Sequence, residues 1–187
     1  MEGPAFWIDR LLTKSGFDYL CRVDEDYMRD KFNLTGLERE LPNFKQVYES
    51  LFQVEVPSTD IYEAAVHLYG LIHSRFIMTT LGLAKMQEKH VSGHYGTCPR
   101  LLCKGRRLLP VGISDKFGTS GVKLYCSSCE DIYNPKSSRH CCLDGAYFGT
   151  SFPHMFLLTY PVEVHDYTSS STKLFGFKFC SASKSTI

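Results

Sequence analysis

Four cysteines constrain the second half of this 187-residue chain more than any other feature of its sequence. Cys98 and Cys103 stand as C-x4-C, and Cys126 and Cys129 follow, after 22 residues, as C-x2-C. Two close cysteine pairs separated by a loop are typical of a tetrahedral Zn²⁺ site, in which each pair supplies two thiolates from one tight turn. Cysteines can also serve as small buried apolar residues, but chance rarely produces both spacings. The spacing therefore predicts a zinc site.

The predicted ligand set also indicates what the metal does. All four ligands are thiolates and no fifth candidate lies at ligand spacing, so the coordination shell is closed and no position is left for an activated water. Pro99, beside the first thiol, and Gly105, just after the second, suit the bends that such turns require. We therefore expect one structural zinc ion per chain.

Composition excludes a disordered chain and argues against a dedicated nucleic-acid binder. The chain is 43% hydrophobic and carries a formal net charge of +1. Residues 1–90 contain 10 Lys/Arg and 14 Asp/Glu, whereas residues 91–187 contain 11 and 6, so the halves carry about −4 and +5. The first residues lack a signal-peptide pattern and no apolar run reaches 18 residues. We expect an intracellular protein with reduced cysteines and no membrane partner.

Apolar spacing predicts helices in the first half and short strands in the second. The clearest predicted helix begins at Asp60, which would form a capping box with Glu63, and its apolar residues recur at three- and four-residue steps as far as Phe76. Pro42 is expected in the first turn of another helix. The remaining predicted helices are Ala5–Leu12, Glu25–Phe32, Asn43–Phe52 and Leu81–Lys89. The predicted strands are Leu108–Ile113, Val122–Tyr125 and Met155–Leu158.

These patterns predict an α+β protein in three parts. An all-α N-terminal domain covers residues 1–93, a small zinc-ribbon β domain covers residues 94–161, and a linker with an extended C-terminal tail covers residues 162–187. In an extended tail, Phe175, Phe177 and Phe179 would lie on one face. An exposed face of three phenylalanines must be buried against another surface, either on the chain's own domain or on another chain. The pattern alone favours neither alternative.

No active site emerges from the titratable residues. His67 and His73 are six residues apart on one predicted helix and do not share a face. His140 stands beside two cysteines, but adjacent side chains rarely bind one ion together, and a basic loop is the favoured interpretation. The acidic run at residues 24–26 fits a helix N-terminus. Walker and protein-kinase motifs are absent. A basic zone in the second half has two interpretations, a solvated loop face or a binding site for an anionic partner, and the solvated face is favoured. Its residues are Lys104, Arg106, Arg107, Lys136 and Arg139.

Several long motifs, in this order, resemble the regulatory beta subunit of protein kinase casein kinase II over nearly the whole chain. They are VDEDY and DKFNLTGL within residues 23–37, LYGLIH at 68–73, CPR at 98–100 with the other three thiols, KLYC at 123–126, PKSSRH at 135–140, DGAYFGT at 144–150 and FPHM at 152–155. The resemblance implies a non-catalytic protein with a helical N-terminal domain followed by a zinc ribbon.

The resemblance also implies partners. It implies a homodimer of the zinc domains, and a C-terminal segment that docks on the catalytic alpha subunit in a tetramer of two catalytic and two regulatory chains. Such a subunit alters the stability of the kinase and its choice of protein substrates. The implied dimer-interface residues are Pro99, Leu101, Ile132 and Tyr133. The implied kinase-docking residues are Leu174, Phe175, Gly176, Phe177 and Phe179.

The chain departs from the family pattern at several points. It lacks the serine-plus-acid start at which the family is autophosphorylated, and the acidic loop has shrunk to residues 54–60, so we expect a weak response to polyamines. Phe175 replaces a tyrosine, and Cys141 with Cys142 replaces a histidine-rich stretch, which indicates a divergent paralogue. Two alternatives are a zinc-ribbon nucleic-acid-binding or transcription-associated module and a metal-dependent hydrolase. The near-zero net charge disfavours the first, and four thiolate ligands contradict the second.

Overall fold

A computed structural model describes residues 6–55 and 58–161, together with the backbone of residues 173–174 and 177–178. The described α-helices are α1 (Trp7–Thr13), α2 (Glu25–Arg29), α3 (Phe44–Ser50), α4 (Thr59–Phe76), α5 (Thr80–Val91), α6 (Ser138–Cys141) and α7 (Phe152–Thr159). The described strands are β1 (Leu109–Val111), β2 (Lys123–Cys126), β3 (Asp131–Tyr133), β4 (Lys173–Leu174) and β5 (Phe177–Lys178). Short 3-10 helices span Lys31–Leu34, Leu37–Arg39, Leu101–Cys103 and Gly145–Tyr147. The α+β class expected from the sequence is confirmed.

Helix α4 organises the first half. Its predicted apolar stripe is confirmed, because Leu68, Ile72 and Phe76 are all buried. Its predicted start is wrong by two residues: Ser58 is the N-cap, and its side chain accepts a hydrogen bond from the amide of Ile61 at 3.4 Å. A serine hydroxyl caps a helix as well as a carboxylate does, so the local sequence offers two competing caps.

Two other helix predictions need correction. The segment predicted as one helix over 25–32 is divided, because the Asp30 carboxylate accepts a hydrogen bond from the amide of Phe32 at 2.9 Å and thereby caps a new 3-10 turn. Pro42 lies before α3 rather than in its first turn. The N-cap of α3 is Asn43, which has a left-handed φ of 54° that asparagine tolerates better than most residues.

The second half is built on a three-stranded antiparallel sheet in the order β1-β2-β3. Leu109 lies opposite Tyr125, which in turn lies opposite Ile132 on β3, a strand that the sequence did not predict. The predicted strand at 155–158 is wrong, because these residues belong to α7. Phe152 and Phe156, four residues apart, are both buried, and α7 packs against β1.

One continuous cluster of buried side chains includes residues on both sides of the predicted domain boundary at residues 93 and 94. Gly70 on α4 lies so close to Tyr147 that a Cβ added there would be 2.3 Å from a ring carbon. That boundary remains a prediction. The helical half and the cysteine-containing half share a core, whichever way the chain is divided.

A fully buried histidine connects the two halves. His73 on α4 accepts a hydrogen bond at Nε2 from the amide of Cys21 at 3.1 Å, so its Nδ1 carries the proton and donates to the carbonyl of Tyr147 at 2.8 Å. Desolvation by burial lowers the pKa of His73 to about 4. The imidazole is therefore neutral at physiological pH and acts as a structural bridge.

The C-terminal region is described only in part. Strands β4 and β5 pair in the antiparallel direction with Leu174 opposite Phe177, whereas residue alternation suggested one extended segment. The side chains of the predicted docking residues, and most of the predicted linker and tail at 162–187, lie outside the described residues. Within the described part of the chain, no helix combines the length and apolarity that crossing a membrane requires.

Candidate metal centre

The four cysteines predicted as zinc ligands lie together. Their Sγ atoms are all within 4.8 Å of one another, with separations of 3.8 Å between Cys98 and Cys129 and 3.8 Å between Cys103 and Cys126. A tetrahedral zinc with bonds of about 2.3 Å requires sulfur atoms about 3.8 Å apart. Three of the cysteines are buried and Cys129 is half-buried. Spacing, chemistry and burial therefore fit a tetrahedral metal ion with four thiolate ligands.

The first cysteine pair is positioned by a closed turn. The amide of Cys98 donates to the carbonyl of Arg106 at 2.7 Å, and the amide of Arg106 donates to the carbonyl of Cys103 at 2.9 Å. Lys104 and Gly105 both have positive φ, at 49° and 72°, which reverses the chain directly after the second ligand. The bend expected at Gly105 is confirmed, and the strained φ of Lys104 was not foreseen.

The second pair lies between β2 and β3. Cys126 ends β2, and the amide of Glu130 donates to its carbonyl at 2.8 Å, with a φ of 56° at Glu130. The amides of Ser128 and Cys129 donate to the Cys126 sulfur, and the amide of Asp131 donates to the Cys129 sulfur. Amide donors around a sulfur favour its thiolate form, which is the form that binds a metal.

The two sulfurs of this turn have opposite acid–base tendencies. Burial raises the pKa of the Cys126 thiol to about 12. Burial also acts to raise the pKa of Cys129, but the hydroxyl of Tyr133 and the other hydrogen-bond donors around it outweigh that effect and lower the pKa to about 7. A bound dication supplies the positive charge that such a buried group of sulfurs requires, because coordination deprotonates thiols.

Tyr133 contacts the cluster directly, a role that the sequence analysis missed. Its hydroxyl oxygen lies 3.2 Å from the Cys129 sulfur and 3.7 Å from the Cys98 sulfur. Hydrogen bonding to Cys129 raises the pKa of the Tyr133 hydroxyl, which keeps its proton and can donate it. A tyrosine four residues after a cysteine gives no signal in the sequence; only the β3 register shows the contact.

Polar contacts also join the two cysteine turns. Arg100 of the first turn pairs with Asp131 at 2.6 Å, and the Arg106 guanidinium donates to the Ser128 hydroxyl at 3.1 Å. Arg106 therefore has a polar contact within the protein, and the interpretation of the basic residues as a solvated face remains a prediction. The Arg100–Asp131 pair is about half exposed, so we expect it to contribute less than about 1 kcal/mol.

The predicted dimer-interface residues lie around the same turns. Leu101 is 88% exposed and Ile132 is 48% exposed, Pro99 is exposed, and Tyr133 is half-buried. Their role at an interface remains a prediction at this point.

The remaining candidates have structural contacts. His140 lies in α6 rather than in a basic loop: it pairs with Asp18 at 2.8 Å and stacks on Tyr19 with ring centroids 3.9 Å apart. Asp24, in the acidic run, occupies the N-cap position of α2 and forms an ion pair with Lys85, so the structural interpretation of that run is confirmed. Among the described residues, the four cysteines form the only group of three or more potential metal ligands.

Comparison with known proteins gives a consistent family. Residues 6–178 match the family model described as casein kinase II regulatory subunit. The chain is 46% identical over 185 residues to casein kinase II subunit beta of Schizosaccharomyces pombe, covering 95% of this chain and 80% of the relative. It is 47% identical to subunit beta-2 of Neurospora crassa, covering 86% and 58% respectively. It is 44% identical to subunit beta' of Saccharomyces cerevisiae, covering 95% and 73%. The chain therefore belongs to the casein kinase II regulatory subunit family and is a non-catalytic regulatory protein.

Proposed function

We propose that this protein is a zinc-stabilised regulatory subunit that forms a homodimer through its metal-binding half and binds the catalytic subunit of casein kinase II through its C-terminal segment. The observation that carries the proposal is the geometry of the four cysteines, in a chain that matches the family from residue 6 to residue 178. We further propose that it acts in the cytoplasm and nucleus.

The metal in this proposal is a structural zinc ion held by Cys98, Cys103, Cys126 and Cys129. Four thiolates complete a tetrahedral shell, so the ion supplies cross-linking between the two turns. The strands around it are only three or four residues long, so they provide little stability by themselves. Binding of a structural zinc contributes on the order of 10 kcal/mol to folding, which is enough to hold such short elements together.

The exposed apolar residues of the cysteine turns support the proposed dimer. Leu101 and Leu102 of the first turn are 88% and 37% exposed, and Ile132 lies on the adjacent strand β3. Two copies related by a two-fold axis can cover these residues with the same residues of the other copy. The proposed interface consists of Pro99, Leu101, Ile132 and Tyr133.

The proposed contact with the catalytic subunit uses the aromatic C-terminal segment. Buried aromatic side chains are frequent anchors of protein interfaces, and a small anchored contact lets subunits exchange. In this proposal two regulatory and two catalytic chains assemble, and the regulatory dimer changes the stability and substrate choice of the kinase. The proposed anchors are Leu174, Phe175, Gly176, Phe177 and Phe179.

The test combines assembly and metal content. The full chain, a 1–173 truncation and Phe177→Ala are each mixed with the catalytic alpha subunit and examined by sedimentation velocity, and zinc is measured by elemental analysis. We expect about one zinc per chain in all three proteins, a two-plus-two complex for the full chain, and weakened or lost assembly for the other two. Phe32→Ala, which truncates a phenylalanine that is 83% exposed in the helical half, is the matched control.

Each part of the proposal can fail separately. Undiminished assembly of Phe177→Ala and of the truncation would exclude the tail as the anchor. A pure protein without tightly bound zinc would exclude the metal. A nucleic-acid function is not favoured, because two of the arginines near the cysteines already contact Asp131 and Ser128.

A further inference from the structure

The hydroxyl of Tyr133 covers one edge of the sulfur tetrahedron. Its oxygen lies 3.2 Å from Cys129 and 3.7 Å from Cys98, and these two sulfurs, from different pairs, are 3.8 Å apart. The opposite edge, Cys103 and Cys126, is buried. Cys129 is the half-buried member of the four, so the tyrosine stands where the cluster is closest to solvent.

Charge explains why a donor is useful at this edge. A zinc ion with four thiolates carries a net charge of about −2, and hydrogen-bond donors to the sulfurs offset the cost of burying that charge. The Cys126 sulfur already accepts from two backbone amides, whereas Cys129 accepts from the amide of Asp131. The Tyr133 hydroxyl supplies a side-chain donor to Cys129 and comes within reach of Cys98.

We infer that Tyr133 is a positioning residue of the metal centre: its hydroxyl donates to the Cys129 thiolate, with Cys98 as an alternative acceptor, and slows the release of zinc. This inference rests on the proposed function of the four cysteines as a zinc site. Tyr133 would then have two roles. Its ring belongs to the proposed dimer interface, and its hydroxyl belongs to the metal centre.

The sheet holds the hydroxyl in place. Tyr133 ends β3 and lies opposite Leu124 of β2, so its backbone is fixed by the strand pairing. Its ring lines a cavity of about 350 Å³, whose walls include Pro99, Leu124 and Tyr19. A donor that the fold holds in position makes its hydrogen bond without a large loss of side-chain freedom.

The decisive variant is Tyr133→Phe, which removes one oxygen and keeps the ring. Tyr125→Phe is the matched control: Tyr125 lies in the same sheet opposite Ile132, and the described hydrogen bonds of the chain include none from its hydroxyl to a cysteine. Zinc transfer from each full-length protein to an excess of a chromophoric chelator is followed over time. We expect transfer to be about 10- to 100-fold faster for Tyr133→Phe and unchanged for the control.

Two further readouts separate a hydrogen bond to sulfur from a general loosening of the fold. In protein loaded with Co²⁺, removal of the donor should shift the sulfur-to-cobalt charge-transfer bands to lower energy and leave the tetrahedral ligand-field bands in place. Placing p-aminophenylalanine at position 133 restores an N–H donor, so we expect it to restore slow zinc release. Sedimentation should show an unchanged dimer for each variant, since the ring is retained.

The outcomes distinguish the two proposals. Wild-type protein without zinc would refute the zinc site itself. Wild-type protein with one zinc, together with a Tyr133→Phe variant that has the wild-type release rate and the wild-type charge-transfer bands, would overturn the role of the hydroxyl and leave the zinc site standing. Faster release without rescue by p-aminophenylalanine would also overturn it, because packing would then be the cause.

Discussion

The buried histidine bridge gives the sharpest prediction about stability, which concerns the pH dependence of the His73→Gln variant. Wild-type His73 is fully buried with a pKa of about 4, compared with 6.5 for an accessible imidazole. Because the folded-state pKa is lowered, the neutral imidazole contributes stability that is fully present above about pH 6.5 and is lost as the pH falls towards 4. Glutamine can accept and donate at the same site but does not titrate.

The magnitude follows from linkage. The pKa of His73 differs by about 2.5 units between the folded and unfolded states, which corresponds to about 3 kcal/mol of stability once His73 is protonated in both states. About 2 kcal/mol of this stability is already lost at pH 5. At pH 7.5, His73→Gln should lower the free energy of unfolding by about 1–3 kcal/mol, because the bonds to Cys21 and Tyr147 are remade less well. At pH 5 the difference between wild type and variant should be about 2 kcal/mol smaller.

The assay is equilibrium urea unfolding of both proteins at pH 7.5, 6.5 and 5. Zinc content is measured at each pH, and the two proteins are compared only where their zinc contents are equal. His154→Leu, at an exposed histidine of α7, is the control and should show the pH dependence of the wild type. A difference between wild type and His73→Gln that stays constant within about 0.5 kcal/mol across this range would show that His73 titrates normally. Burial would then not lower the pKa of His73 in the folded protein.

Three other changes test the packing, the metal and the surface. Gly70→Ala should destabilise the fold by about 1–3 kcal/mol in the same assay despite the better helix propensity of alanine, because the new Cβ would lie 2.3 Å from the ring of Tyr147; an unchanged midpoint would contradict this contact. Cys103→Ser should lower zinc content well below one per chain and dissociate the proposed dimer at micromolar concentration, measured by elemental analysis and sedimentation. Leu101→Asp should also dissociate the dimer but keep its zinc, since this side chain is 88% exposed; persistence of the dimer would move the interface elsewhere.

Local patterns in the sequence predicted the elements that local physics determines. The three- and four-residue spacing located α4, and the two cysteine spacings located the metal cluster, because each depends on residues close together in the chain. The strand predicted at 155–158 failed because four consecutive apolar residues fit a buried helix as well as a strand. The first residue of α4 was misplaced because Ser58 and Asp60 are both capable caps.

The histidine contacts that the sequence did not predict join residues far apart in the chain. His73 bonds to Cys21, 52 residues earlier, and to Tyr147, 74 residues later. His140 pairs with Asp18 across 122 residues. No window of local sequence contains both members of such pairs, so composition and spacing could only describe these histidines as surface or helix residues.

These distant contacts change how the two halves are understood. The cavity beside Tyr133 has Tyr19 and His140 among its walls, so the metal centre adjoins the loop that leads from α1 to α2. That loop is tied to α6 by the Asp18 carboxylate and by stacking on His140. Tyr133 contacts two of the sulfurs and lines the same cavity as Tyr19 and His140. We therefore expect a bound metal to stabilise the helical half as well as the short sheet. Loss of the proposed zinc should therefore lower the stability of both halves of the described fold.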